Sequence, residues 1–447
     1  MKFYNREKEI AELTRIQELA FAQNSRMIVL TGRRRIGKTS LIKRALKDTP
    51  MLYFFIGRKA ESVLVAEFVR QVRETFSVFV PEGMTSFSNL MQYLFEIGKG
   101  RSFSIVIDEF QEFYNINPSI FSDLQNLWDT YRQDTHINLV VSGSVYSMMQ
   151  KIFTDHSEPL FGRADNILRL HPFKLEVLKQ IMEDYAPGYS RDDLLALYAI
   201  TGGIPKYVEL LCDNGVLTVE RMYRFIFSGM SPFTDEGRNL LITEFGKNYG
   251  TYFSVLLEIA NGHRTQGEIE AKLGGLAIGG HLSKLENVYN LIVRERPVFA
   301  KPGSKKNVRY VIHDNFLNFW FKYIERNRSY IELQNYDDLF SLAMDDYPTY
   351  SGKILEKYFR QKLAEAGGFK EIGGWWEAGN SVRGKVEAFE INIVALCSKG
   401  RQALIAEVKW NPRNYNHKLF MEKVEHLRQK EMTKYRLETK LFSLEDM

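Results

Sequence analysis

Cysteine is nearly absent: Cys212 and Cys397 are the only two in 447 residues, and they lie far apart in sequence. That excludes a disulfide framework and a cysteine zinc site, and a reducing, cytoplasmic setting is expected. Proline is sparse at 12 residues, while 45% of the chain is hydrophobic and 26% charged, which excludes wholesale disorder and a fibrous repeat. No apolar run approaches the roughly 18 to 20 residues that a spanning helix needs. Met1 to Ile10 alternates charged with apolar residues and does not have the form of a signal peptide, so no membrane partner is expected. Neither sign of charge dominates: 60 basic against 55 acidic residues leave a formal +5, which permits an anionic partner without requiring one. The length excludes a single small module, and two or three domains are expected.

What is present is concentrated in three stretches. The first is an apolar run, Arg26 to Leu30, then Thr31-Gly32-Arg33-Arg34-Arg35-Ile36-Gly37-Lys38-Thr39-Ser40, then the helical pattern Leu41 to Leu46. Strand, glycine loop and helix in that order turn backbone N–H groups onto phosphate at a helix amino terminus, where the dipole also favours anions. Lys38 is expected to neutralise the β and γ phosphates of ATP. Thr39 is expected to place its hydroxyl on a Mg²⁺ ion, with Gly32, Arg35, Ile36, Gly37 and Ser40 forming the rest of the loop. By average residue usage, a chance match to this spelling in a chain of this length has odds of about 1 in 100.

About 70 residues on, Ser104-Ile105-Val106-Ile107-Asp108-Glu109-Phe110 puts two carboxylates at the carboxyl end of an apolar run, where an open parallel sheet presents its catalytic groups. Asp108 is expected to hold Mg²⁺, and Glu109 to polarise the water that attacks the γ phosphate. A third run, Ile137 to Val141, ends in Ser142-Gly143-Ser144, polar residues suited to sensing that phosphate. Arg163, in a loop before the strand-like run Ile167 to Leu170, is a candidate for stabilising charge on the transferring phosphoryl group.

Together these features resemble the archaeal-type ATPases within the AAA+ and STAND group. The resemblance spans roughly residues 1 to 230 and rests on Phe3-Tyr4-Asn5-Arg6-Glu7, the GRRRIGKTSL loop, the IVIDEF run, Phe161-Gly162-Arg163 and Thr201-Gly202-Gly203-Ile204-Pro205. It implies a P-loop NTPase parallel sheet with a helical lid, ATP as ligand, and Asn5, Arg6 and Pro205 near the adenine. A capped helix and a Gly-Pro turn are the plain alternative for those three. The resemblance also allows Arg163 to act within its own chain or on a neighbouring subunit of an oligomer.

From Tyr252 to Tyr310 the periodicity suits three short helices, Phe253 to Asn261, Thr265 to Leu273 and Gly279 to Asn290, followed by a hairpin with a lysine-rich turn. Thr265 and Glu268 spell a capping box. The stretch resembles a winged helix-turn-helix, which makes Lys284 and the wing residues Lys301, Lys305 and Lys306 candidate contacts to duplex DNA. In STAND-type ATPases such a module also packs internally as a lever, and both readings stay open. The aromatic run His313 to Phe321 is read as packing.

In the third stretch, an acidic turn is expected at Asp345 to Pro348, a helix from Ser351 through Ala364, then Trp375-Trp376, the alternating run Ala388 to Ala395, and the strand Ala403 to Trp410. This resembles the DUF234 domain that follows archaeal-type ATPases, with a core similar to PD-(D/E)XK nucleases. The resemblance implies remnants of a nuclease site at Glu356, Glu390, Asn392, Glu407 and Lys409. Asn392 stands where that family usually carries aspartate, and a neutral amide cannot replace the charge a divalent cation needs. E-x-K also recurs at Glu270 to Lys272 and Glu438 to Lys440, so only the strand context singles out Glu407.

The expected architecture is α/β throughout: an ATPase domain with helical lid over residues 1–235, a winged helix over 236–330, and a small PD-(D/E)XK-like domain over 331–447. The function implied is an ATPase or ATP-dependent switch with a degenerate nuclease-like domain, acting on DNA or on a protein partner. An ATP-regulated nuclease and a DNA-binding regulator that only senses ATP are the alternatives.

Overall fold

The apolar runs at Ile28, Ile105 and Leu139 lie side by side in one parallel sheet, in a computed structural model that describes residues 1–246, 249–301, 303, 306–377, 380–382, 385–387 and 389–447. Its strands are β1 (Arg26–Thr31), β2 (Met51–Phe55), β3 (Phe103–Asp108), β4 (Ile137–Gly143) and β5 (Asn166–Arg169), in the order β2-β3-β4-β1-β5. Every pairing is parallel. Burial on both faces explains the near-continuous apolar spelling of β1, β3 and β4. Ile28, Leu30, Val106 and Val140 face the helices Glu7–Ala22 and Lys38–Ala45. Val29, Ile105, Ile107, Leu139 and Val141 face the helices Glu61–Phe76, Phe87–Gly98 and Ser119–Tyr131. Period-two alternation thus fixes which side each strand-end side chain points to.

The chain divides into two compact units, residues 2–172 around this sheet and residues 173–447 with Met1. The second unit begins with helices, among them Arg191–Thr201, Pro205–Asp213, Val219–Ile226 and Glu236–Phe245. Helices Tyr249–Ala260, Gln266–Lys272 and Gly279–Asn287 follow, then an antiparallel hairpin of β6 (Ile292–Glu295) and β7 (Arg309–Ile312). Thr265 and Glu268 form the capping box that their spacing predicts. Phe316, Phe319, Trp320, Phe321 and Tyr323 are all buried, so the aromatic run is core.

The last part of this unit is a four-stranded sheet in the order β13-β12-β11-β8, built from β8 (Phe369–Trp376), β11 (Glu390–Cys397), β12 (Gln402–Val408) and β13 (Arg436–Phe442). A two-stranded ribbon, β9 (Asn380–Val382) with β10 (Lys385–Glu387), lies between β8 and β11 in sequence. Ala388, where the alternating run was expected to begin, lies outside the described residues, as does Lys305.

Two expectations change. The acidic turn at Asp345 to Pro348 is instead the middle of one long helix, Tyr336–Ala366, with Pro348 inside it. A helical proline forfeits one hydrogen bond and crowds the preceding turn. Tertiary contacts outweigh that cost here: Tyr323 donates to Asp346 at 2.6 Å, Lys322 pairs with the same carboxylate at 2.8 Å, and Tyr347 donates to Asp192 at 2.7 Å. The hairpin also does not stand apart from the carboxyl-terminal sheet. Val298, in its loop, is 2% exposed and belongs to the same core as Trp375, Ile391 and Ile405.

Candidate nucleotide site

The glycine loop runs from the carboxyl end of β1 into the helix Lys38–Ala45. A Cβ at Gly32 would lie 3.1 Å from the Leu170 carbonyl and from Ile36 Cγ2, so a larger residue would crowd the turn. Gly37 has φ +92° and opens the helix, while Arg35 holds φ +72°, a conformation that costs a non-glycine residue of order 1 kcal/mol or more. Lys38 is buried, and its Nζ donates to the carbonyls of Gly32 at 2.8 Å and Arg33 at 3.3 Å. The ammonium therefore lies inside the curl of the loop.

Asp108 ends β3 on the face that carries the helix Lys38–Ala45, and the sheet register brings the expected pair together: Thr39 Oγ1 donates to Asp108 Oδ2 at 3.1 Å. Asp108 Oδ1 accepts from the backbone N–H of Glu109 at 3.0 Å. A third group, unforeseen from the sequence, joins them. The hydroxyl of Tyr53, on β2, donates to Asp108 Oδ2 and lies 3.5 Å from Thr39 Oγ1. Burial, then the hydrogen bond to Asp108, push the Tyr53 phenol above its usual range, so it stays a neutral donor. Oxygen ligands converging at a phosphate loop fit Mg²⁺, which takes one or two protein oxygens beside phosphate and water. Thr39 and Asp108 are the residues that would hold it.

Glu109 sits in the left-handed region at φ +58°, which turns its side chain away from the strand direction. Its Oε2 accepts from Ser144 Oγ at 2.7 Å and from Gln111 Nε2. Ser144 follows β4, so the polar end of that strand does meet the second carboxylate. Ser142 Oγ and Gln111 Oε1 are buried without a hydrogen-bond partner among the described residues. Buried polar atoms of this kind are rare and mark strain or a ligand position. Gln111 was not legible in the sequence because its partner is set by a short 3₁₀ turn, Phe110–Glu112.

Arg6 is buried, donating to the His171 carbonyl at 2.7 Å and pairing with Glu9 at 3.1 Å, and Asn5 has φ +46°. Pro205 opens the helix Pro205–Asp213 in the second unit. Arg163 is not brought to the loop. It precedes β5, pairs with Asp129 at 3.1 Å, and stands near Asp165, whose N–H bonds the Met27 carbonyl at the amino end of β1. The six residues of β1, about 20 Å at the usual strand rise, separate that edge from the glycine loop. Arg169, at the other end of β5 and opposite Thr31 in register, is the arginine at the loop's edge; it stacks on Tyr146 with its guanidinium 4.4 Å from the ring.

The three acids among the carboxyl-terminal candidates each face a cation. Arg309 pairs with Glu390 at 2.7 Å and lies over Trp376, 4.3 Å from the ring. Burial pushes the Glu390 carboxyl up, but the Arg309 hydrogen bond and charge outweigh it and hold the group below its usual range. Burial raises the Glu356 carboxyl, against the opposing charge of Arg360. Arg360 spans Glu295 on the hairpin at 3.1 Å and the Asn392 carbonyl at 2.8 Å. Asn392 Oδ1 accepts from the Val408 N–H at 2.9 Å. Glu407 pairs with Lys409 at 2.9 Å and approaches Lys423 at 3.9 Å. Among the described residues no cluster of three or more histidines, cysteines or acids could hold a metal. Lys284 borders a surface hollow of about 420 Å³ with Tyr252 and His281, and Lys301 and Lys306 are exposed.

Comparison with known proteins finds two matched families. A family described as an ATPase domain predominantly from Archaea matches residues 3–211, and one described as archaeal and bacterial proteins of unknown function matches residues 320–424. The chain thus carries an archaeal-type ATPase domain joined to a domain of that second family. It is 29% identical over 424 residues to an uncharacterized protein of Methanocaldococcus jannaschii, an alignment covering 91% of this chain and 87% of the other. A Walker-type ATPase of Pyrococcus abyssi, 18% identical, superposes with a TM-score of 0.53 over 72% of this chain and 96% of its own, and so shares the fold. The ORC2 protein of Aeropyrum pernix, solved with ADPNP and ADP, aligns at 13% identity over 77% of this chain and 96% of its own, with a TM-score of 0.47. Among the described residues no helix is long and apolar enough to cross a membrane.

Proposed function

We propose that this chain hydrolyses the β–γ bond of ATP in its amino-terminal part and uses nucleotide state as a switch on its carboxyl-terminal half. The observation that carries the reading is the meeting of Lys38, Thr39, Asp108 and Glu109 at one edge of the sheet, with Glu109 held by Ser144 and Gln111. In this reading Lys38 neutralises phosphate, Thr39 and Asp108 hold Mg²⁺, which supplies charge neutralisation when bound, and Glu109 polarises the attacking water. Asn5 and Arg6 serve the adenine. Arg163, at the opposite edge, would serve a nucleotide held by a second copy of the chain.

Changing Lys38 to Ala removes a charge-assisted contact worth about 1.5–3 kcal/mol, so ATP affinity falls by about 10- to 150-fold. Equilibrium binding with wild-type affinity in that variant would sink the reading.

For the carboxyl-terminal half, the anchoring of the hairpin by Arg360, Arg309 and Val298 favours an internal lever over a wing free to grip DNA. Contact of Lys284, Lys301 and Lys306 with duplex DNA is the second reading, and its mark is binding that weakens steeply with salt. Metal-dependent cleavage is the reading least supported, because Asn392 Oδ1 is spent on the Val408 N–H and Glu407 Oε1 on two lysines, and of these side-chain oxygens only Glu407 Oε2 is buried without a hydrogen-bond partner among the described residues.

A further inference from the structure

We propose that Tyr53 is a positioning residue of the ATPase site, its hydroxyl orienting the Asp108 carboxylate toward Thr39 for a divalent cation. The inference rests on the ATPase reading above. Tyr53 lies on the edge strand β2, opposite Val106 in register, and so projects on the same face as Val106, Asp108 and the helix that bears Thr39. Three oxygens converge there: the Tyr53 hydroxyl bonds Asp108 Oδ2, Thr39 Oγ1 bonds the same oxygen at 3.1 Å, and the two hydroxyls lie 3.5 Å apart. With Oδ1 fixed by the Glu109 N–H, both carboxylate oxygens are committed and its rotation is set before any ligand arrives.

A purely structural role explains the ring and not the hydroxyl. The ring packs on the core formed by Leu41, Ile42 and Val106, and phenylalanine would fill that place. The side chain is only partly buried, so water is a sufficient partner for its hydroxyl. Groups that hydrogen-bond a metal-ligating carboxylate fix its direction, and losing one typically costs about 10- to 100-fold in metal affinity.

The test uses the full chain and an N-methylanthraniloyl ATP, with binding followed by fluorescence first in EDTA and then across a Mg²⁺ titration. Tyr53→Phe is expected to bind the nucleotide in EDTA as the wild type does, while its half-saturating Mg²⁺ rises by about 10-fold. An unchanged or lower half-saturating Mg²⁺ overturns the proposal. So does equal weakening with and without Mg²⁺, which would make Tyr53 a support of the loop. If the wild type fails to bind the probe, or Lys38→Ala binds it equally well, the ATPase reading itself has failed.

Discussion

Two groups of acidic residues in this molecule are held by different partners, one at the end of β3 and the other on the helix Tyr336–Ala366 and the strands β11 and β12. Asp108 and Glu109 accept from the hydroxyls of Thr39, Tyr53 and Ser144, the Gln111 amide and, at Asp108, the backbone N–H of Glu109. Glu356, Glu390 and Glu407 face Arg360, Arg309, Lys409 and Lys423. Neutral donors orient a carboxylate and leave its charge to act on a ligand, whereas a guanidinium or ammonium consumes that charge in holding the fold. Position at a strand end therefore says less about chemistry than the partner does.

The comparison can be broken most sharply at Glu109. Glu109→Gln keeps the shape and removes the proposed base, so steady-state ATP turnover is expected to fall by about 10²- to 10⁴-fold with binding retained. Normal turnover would place the water-polarising group elsewhere. In the other group the effect should be on stability. Arg360→Ala removes hydrogen bonds to Glu295 and the Asn392 carbonyl and leaves Glu356 without its cation, a loss of about 2–3 kcal/mol in urea denaturation. ATP affinity should not change. The smallest effect is expected from Asn392→Asp, which restores the acid of the nuclease pattern. Its Oδ1 can still accept from Val408, so stability should shift by about 1 kcal/mol or less, with no Mg²⁺- or Mn²⁺-dependent nicking of plasmid DNA. Nicking in that variant would show that one substitution separates this domain from a nuclease.

The glycine loop of the candidate site was legible because its residues are consecutive and its character is carried by spelling. Asp108 followed from the end of an apolar run. Tyr53 was not legible, since nothing in Met51 to Phe55 says that β2 pairs with β3 in a register that puts the phenol beside Asp108. Arg163 had a signal that went unread: a residue before a parallel strand lies at the sheet's amino edge, away from the phosphate loop. Pro348 misled for the opposite reason, because local backbone preference was overridden by Tyr347, Asp346 and their partners. The helices and hairpin between Tyr249 and Ile312 were readable from periodicity, while the burial of Val298 among carboxyl-terminal residues was not.

That burial bears on how the protein can be taken apart. Val298 donates its N–H to the Gly374 carbonyl at 2.9 Å, and Phe299 meets the Tyr435 ring at 6.1 Å between centroids. A fragment ending near residue 330 would expose both to water, and its clumping on a sizing column would report a torn core rather than a missing activity. The seam that spares this contact falls between Pro172 and Phe173.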